Sequence, residues 1–181
     1  MVTKNEKMAI ALDYASESLL NGECPIGATL FLDDELIYGC GSCGETKMEF
    51  LTHAEMNVLT YTDKKGYSVS DRKRMQLYTT LEPCLMCMGA ALSFYAGEIV
   101  YALESKIDGA VSFVRDYMTV HDVKEIVSYE LPVITHGVCR EKSILLLEAY
   151  ALRYPDGPTA GFCRAVTKAA HRHENPHNTE M

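Results

Sequence analysis

The chain has 181 residues, 48% of them hydrophobic and 23% charged, and a net charge of −8. That is the composition of an ordinary globule, long enough for one domain around one proper core. No apolar run approaches the roughly 20 residues that span a bilayer, and the polar start Met-Val-Thr-Lys-Asn-Glu-Lys lacks a secretory apolar segment. The expectation is a cytoplasmic protein with no membrane partner. The acidic balance argues against a partner held by polyanion contacts. The one basic cluster, Lys64, Lys65, Arg72, Lys73 and Arg74, is interrupted by Asp63 and Asp71 and reads as a solvated connection. The seven cysteines are odd in number and include a Cys-x-x-Cys pair. They read as thiols and metal ligands, not as a disulfide framework.

In chain order, Thr3-Lys4-Asn5-Glu6 has the form of a capping box, and apolar Met8, Ile10, Ala11, Leu12, Ala15, Leu19 and Leu20 follow it. This predicts a first helix that stops near Asn21-Gly22. Gly27–Leu32 and Glu35–Cys40 flank Asp33-Asp34 as two strands of a hairpin. The segment from Gly39 to Glu45 reads as a loop, Thr52 to about Thr62 as a second helix, and Met75–Thr80 as a third strand. A third helix is expected over Cys84–Ala96, ended by Gly97, and a fourth strand over Glu98–Leu103. Beyond these, the pattern suggests a helix over Ser105–Met118 despite Gly109, strand composition over Ile126–Thr135 interrupted by Pro132, and a helix over Val138–Tyr154. Residues 1–154 make the main domain. Residues 155–181 open on Tyr-Pro-Asp-Gly-Pro and read as a C-terminal extension, a lid carrying Phe162 followed by a mobile tail. Helices alternating with strands imply an α/β domain with helices on both faces of one sheet.

Two short motifs carry chemistry, His53-Ala54-Glu55 and Pro83-Cys84-Leu85-Met86-Cys87. His53, Cys84 and Cys87 are three ligands, one short of the four that zinc prefers; a catalytic zinc site leaves that fourth place for water. Glu55 supplies the acid/base group such a water needs. With Thr52 read as the N-cap, Glu55 is also open to a purely structural reading, bonding the Thr52 backbone as a capping residue. Pro83 suits a first helical position. Cys84 and Cys87 then share one helix face in the first turn, where the helix dipole favours thiolate. Both halves sit at helix starts with the strand Met75–Thr80 between them, which allows the ligands to meet.

The combination resembles the zinc-dependent cytidine deaminase superfamily, and within it the branch of tRNA-adenosine deaminases and guanine deaminases. The likeness extends to Cys24-Pro25-Ile26-Gly27-Ala28, to the segment Thr79–Ala90, and to the helix from Gly137 through Tyr150. It implies a three-layer α/β/α fold with one mixed five-stranded sheet, bound Zn2+ on His53, Cys84 and Cys87, and Glu55 as proton shuttle. Hydrolytic deamination of an aminated nucleobase, nucleoside or related heterocycle follows, with release of ammonia. Backbone groups near Ala54 and Pro83, with Ala28 and Ser42, are the candidate substrate contacts. A homodimer is also implied. Two alternatives remain: adenosine-to-inosine deamination of tRNA, and a catalytically silent zinc-stabilised interaction module.

The chain departs from the branch where the base is read. The Asn common in the loop after the second strand would fall near Ser42, and no Asn occurs from Gly39 to Thr52. The Asp-Pro-Thr that often precedes His-Ala-Glu is replaced by Glu49-Phe50-Leu51-Thr52. Ser42 could hydrogen-bond a substrate or be an ordinary loop serine, and Glu45 or Glu49 could read an amino group.

Overall fold

The computed structural model describes residues 2–120 and 129–174. The first helix, α1 (Lys4–Leu20), begins with the full capping box: Glu6 N–H donates to Thr3 Oγ1 at 3.2 Å and Thr3 N–H to Glu6 Oε2 at 2.8 Å. β1 (Gly27–Leu32) and β2 (Glu35–Gly41) form the expected hairpin, with Asp33 at φ 55° in the turn. Asp tolerates this left-handed conformation, and hairpin turns demand it. A single 3-10 turn (Glu45–Lys47), α2 (Ala54–Asp63) and the short α3 (Val69–Arg72) lead to β3 (Met75–Leu81). Then come α4 (Leu85–Phe94), β4 (Glu98–Leu103), α5 (Val111–Val120), β5 (Val133–His136), α6 (Arg140–Arg153) and α7 (Ala160–Glu174).

The sheet runs β2-β1-β3-β4-β5, with β1 antiparallel to both its neighbours and β3, β4 and β5 parallel. It is therefore the mixed five-stranded sheet expected. Alternation divides the strands between two cores. Leu30, Leu77 and Ile99 face α2, α4 and α5, while Phe31, Tyr78 and Val100 face α1. Leu81 and Leu103, at the strand ends, pack with Ile144 and Leu147 of α6 and Cys163 and Val166 of α7. Gly27 is required by close packing: a Cβ there would stand 2.0 Å from the Ala11 carbonyl oxygen. Three layers result, and no helix of the described residues is long and apolar enough to cross a membrane.

Several boundaries shift for identifiable reasons. α5 starts at Val111 instead of Ser105, because Glu82 Oε2 takes the Ser105 N–H at 3.0 Å and Glu82 Oε1 the Val111 N–H at 3.2 Å. The intervening residues are turned away from helix and Gly109 pairs with Cys84 in an isolated bridge. β5 begins only after Pro132, which has no N–H for a ladder; residues 126–128 of the expected strand lie outside the described ones. The extension, read from sequence as a lid and mobile tail with no regular element, opens with turns and then forms α7. Its buried Ala160, Cys163, Val166, Thr167 and Ala170 have helical spacing. The pattern is faint in sequence because small and polar residues carry it. Residues 175–181, including His177, lie outside the described set.

Candidate active site

Both motifs stand at helix entrances, one position earlier in the α2 frame and two in the α4 frame than the sequence suggests. His53, not Thr52, is the N-cap of α2, and Cys84 is the N-cap of α4, which places Pro83 before the helix. Thr52 is turned back into its own loop, donating from Oγ1 to the Glu49 carbonyl at 2.7 Å. Neither His53 nor Cys84 uses its side chain as a cap. Both are thereby free to converge beyond the carboxyl end of β3.

His53 Nδ1 lies 3.7 Å from Cys84 Sγ and 3.6 Å from Cys87 Sγ, and the two sulfurs are 3.6 Å apart. Donors around a tetrahedral zinc with Zn–S of about 2.3 Å and Zn–N of about 2.0 Å are separated by roughly 3.5–3.8 Å. The three groups fit that ion, and they leave one position open. Their protonation also calls for a cation. Without one, the Cys87 thiol and His53 draw Cys84 down to about 4. The neighbouring Cys84 sulfur and burial push Cys87 up. Cys87 is completely buried. A metal ion removes the conflict by stabilising both thiolates at once.

Glu55 is 3% exposed, and its carboxylate accepts from Thr79 Oγ1 at 2.9 Å and lies 3.6 Å from Cys87 Sγ. The capping alternative is thus not what the structure shows. Burial raises the pKa of Glu55. Thr79 carries no obvious signal in the sequence. Strand alternation in β3 puts it on the α2 side with Leu77, and that is the one clue to its role.

A cavity of about 260 Å³ opens beside these groups. His53, Glu55 and Cys84 form its floor, Ser42, Glu45, Met48, Glu49 and Phe50 one wall, and Pro158, Thr159 and Phe162 of the extension another. Cys24 and Ile26, and Leu81, Glu82 and Asp108, complete the border. Of the four candidate substrate contacts only Ser42 borders the cavity. Ala28 and Ala54 are fully buried behind it, since they fill the core between β1 and α2. Pro83 is buried too, its carbonyl held by Ala110 N–H at 3.0 Å. The contributions of Cys24, Asp108, Pro158 and Thr159 come from segments far apart in the chain and have no local motif.

The wall from Ser42 to Thr52 is secured mainly by Glu23. Its Oε2 accepts the Glu45 N–H at 2.8 Å and the Thr46 N–H at 3.3 Å, and its Oε1 accepts from Thr46 Oγ1. Gly44 lets the loop close on itself: a Cβ there would lie 1.7 Å from Thr52 Oγ1. Burial and the adjacent Glu23 carboxyl raise Glu45 to about 7.

The profile of the cytidine and deoxycytidylate deaminase zinc-binding region matches residues 1–103, which include every group of the floor. The chain belongs to this family. A tRNA-specific adenosine deaminase of Bacillus subtilis is 34% identical over 94 residues, 52% of this chain and 58% of that relative. The chain thus spans little more than half the length of that protein. A solved tRNA:A34 deaminase, studied for A-to-I editing at the wobble position, has 27% identity and a TM-score of 0.66 over 79% of this chain and 99% of its own. The guanine deaminase of Nitrosomonas europaea shares the fold at 20% identity, with a TM-score of 0.62 over 83% of this chain and 86% of its own. The zinc donors of this deaminase-family chain accordingly lie inside the region that defines the family.

Proposed function

We propose that this chain is a zinc-dependent aminohydrolase that removes ammonia from a free nucleobase, nucleoside or related aminated heterocycle. The observation that carries the reading is the convergence of His53, Cys84 and Cys87 at tetrahedral spacing with buried Glu55 beside them at the floor of a cavity. His53, Cys84 and Cys87 would hold the zinc, which supplies a Lewis acid that makes the attacking water acidic near neutral pH. Glu55 takes the proton from that water and delivers it to the ring nitrogen next to the amine-bearing carbon. Thr79 holds the carboxylate in place through this transfer. Glu55 then helps protonate the departing ammonia, so that the borrowed proton is returned within one cycle. The enclosed walls, with Phe162 above, limit competing water.

Ammonia release from cytosine, cytidine, adenine, adenosine, guanine, guanosine, pterins and triazines tests the assignment. At least one is expected to react. Glu55→Gln should keep its zinc while turnover drops by about 10²- to 10⁴-fold; full activity in that variant would refute the role.

A second reading, adenosine-to-inosine deamination in tRNA, is supported by the likeness to the Bacillus subtilis protein. The net charge of −8 argues against it. An anticodon stem-loop titrated across salt separates the two, since a free-base enzyme forms no specific complex. The same proposal takes residues 1–154 as the deaminase unit and residues 155–181 as an extension that helps roof the cavity. It takes the assembly to be a cytoplasmic homodimer, as the family resemblance implies. Light scattering in line with size exclusion checks the dimer.

A further inference from the structure

Among the described residues, the charged side chains that line the cavity beside His53 are acids, with no lysine or arginine. Glu45, Glu49, Glu55, Glu82 and Asp108 border it. Three of these have work elsewhere. Thr79 donates to Glu55, Glu82 holds the Ser105 and Val111 N–H groups, and Asp108 accepts from Ser105 Oγ at 2.6 Å. Glu45 is engaged by Glu23 and Ser42, while its Oε2 is buried with no hydrogen-bond partner. The Glu49 carboxylate has no hydrogen-bond or ion-pair partner among the described residues.

An ionised phosphate brought against the wall, away from the metal-binding floor, meets like charge there and no lysine or arginine to offset it. A ring carbonyl turned towards a carboxylate is likewise disfavoured, whereas an amino group or ring N–H donates a charge-assisted hydrogen bond. Size points the same way. A cavity of about 260 Å³ falls below the roughly 300 Å³ at which pockets for drug-sized ligands begin, and it suits a single heterocycle.

Building on the deaminase reading above, we propose that Glu49, backed by Glu45, is the specificity-determining group. It selects a phosphate-free heterocycle that presents a second amino group away from the amine being removed. The partner class is thus a diaminated free base or a close equivalent. Glu45 adds a neutral-or-charged oxygen near physiological pH, since burial beside Glu23 raises it to about 7.

Binding to zinc-loaded Glu55→Gln protein, followed by titration calorimetry, tests this apart from turnover. The probes are 2,4-diaminopyrimidine, cytosine, cytidine and cytidine 5′-monophosphate. The diamino ring, which replaces the cytosine carbonyl by a donor, is expected to bind at least about tenfold more tightly than cytosine. The monophosphate should bind about 100-fold more weakly than cytidine. Adding Glu49→Gln should reduce both ratios to within about threefold of unity, because the amide keeps an acceptor but no charge. Equal binding of cytosine and the diamino ring, equal binding of cytidine and its monophosphate, or ratios indifferent to Glu49→Gln would each overturn the proposal. Wild-type ammonia release from the same compounds separates the two readings. Selective binding without turnover upholds the acidic wall and removes the deaminase assignment; turnover that ignores the phosphate does the reverse.

Discussion

The floor and the wall of the cavity are built on opposite principles. On the floor, each functional group sits on or beside a buried element end: His53 and Cys84 are N-caps, Cys87 and Glu55 occupy first turns, and Thr79 is inside the sheet. The wall from Ser42 to Thr52 has one 3-10 turn, and Met48, Phe50 and Leu51 are 66%, 73% and 71% exposed. Rigid packing holds the chemistry where reacting atoms must meet closely. The proposed recognition rests on a loop tied by a few side-chain-to-backbone bonds, and such a loop can change without disturbing the core.

The largest expected effect is on the floor. Cys87→Ala should abolish zinc binding and turnover together, read by metal analysis and ammonia release; a full equivalent of zinc in that variant would break the three-donor account. Next comes Thr79→Val, which keeps the shape but removes the hydrogen bond to Glu55. It should lower kcat by about tenfold with zinc retained, from the usual worth of a hydrogen bond to a charged group. Thr29→Val is the control. Thr29 is equally buried and its Oγ1 has no partner, so the substitution should leave kcat unchanged and stability equal or higher.

Glu23→Ala moves the test to the wall. Losing the contacts to Glu45 and Thr46 should raise KM several-fold with a smaller change in kcat, because only the orientation of the loop is relaxed. A larger fall in kcat than rise in KM would erase the division between floor and wall. The smallest effect concerns pH. Glu45 has a folded-state pKa of about 7 against an ordinary value of 4.5. The folded state therefore binds more protons than the unfolded one between these values, and this group's contribution to stability declines as pH rises through that window. Glu45→Gln should flatten the decline in melting temperature between pH 5 and pH 8; an unchanged slope would show that Glu45 is not held in its raised state.

The floor was legible because its information is local. Three ligand types, one acid and helix-start spacing fall within two short runs, and the strand between them is plain in Met75–Leu81. Even so, the helix frame slipped by one residue at α2 and by two at α4: Thr52 and Pro83 look like a cap and a first helical residue, and both were displaced by contacts with their own surroundings. α5 was misplaced because Glu82, about 30 residues upstream, serves as its cap. α7 was missed because its buried stripe of Ala, Cys, Val and Thr has little hydrophobic contrast.

Sequence alone pointed to the three candidate zinc donors, the acid beside them and the alternation of helices and strands, since these depend on residue chemistry and short-range periodicity. Only the tertiary structure decided which groups surround them. Ser42, Glu45, Glu49, Asp108, Thr159 and Phe162 reach one cavity from three separate stretches of chain. Their meeting follows from the order of the strands and the packing of α6 and α7 at the sheet's end, and no local pattern encodes such long-range closure.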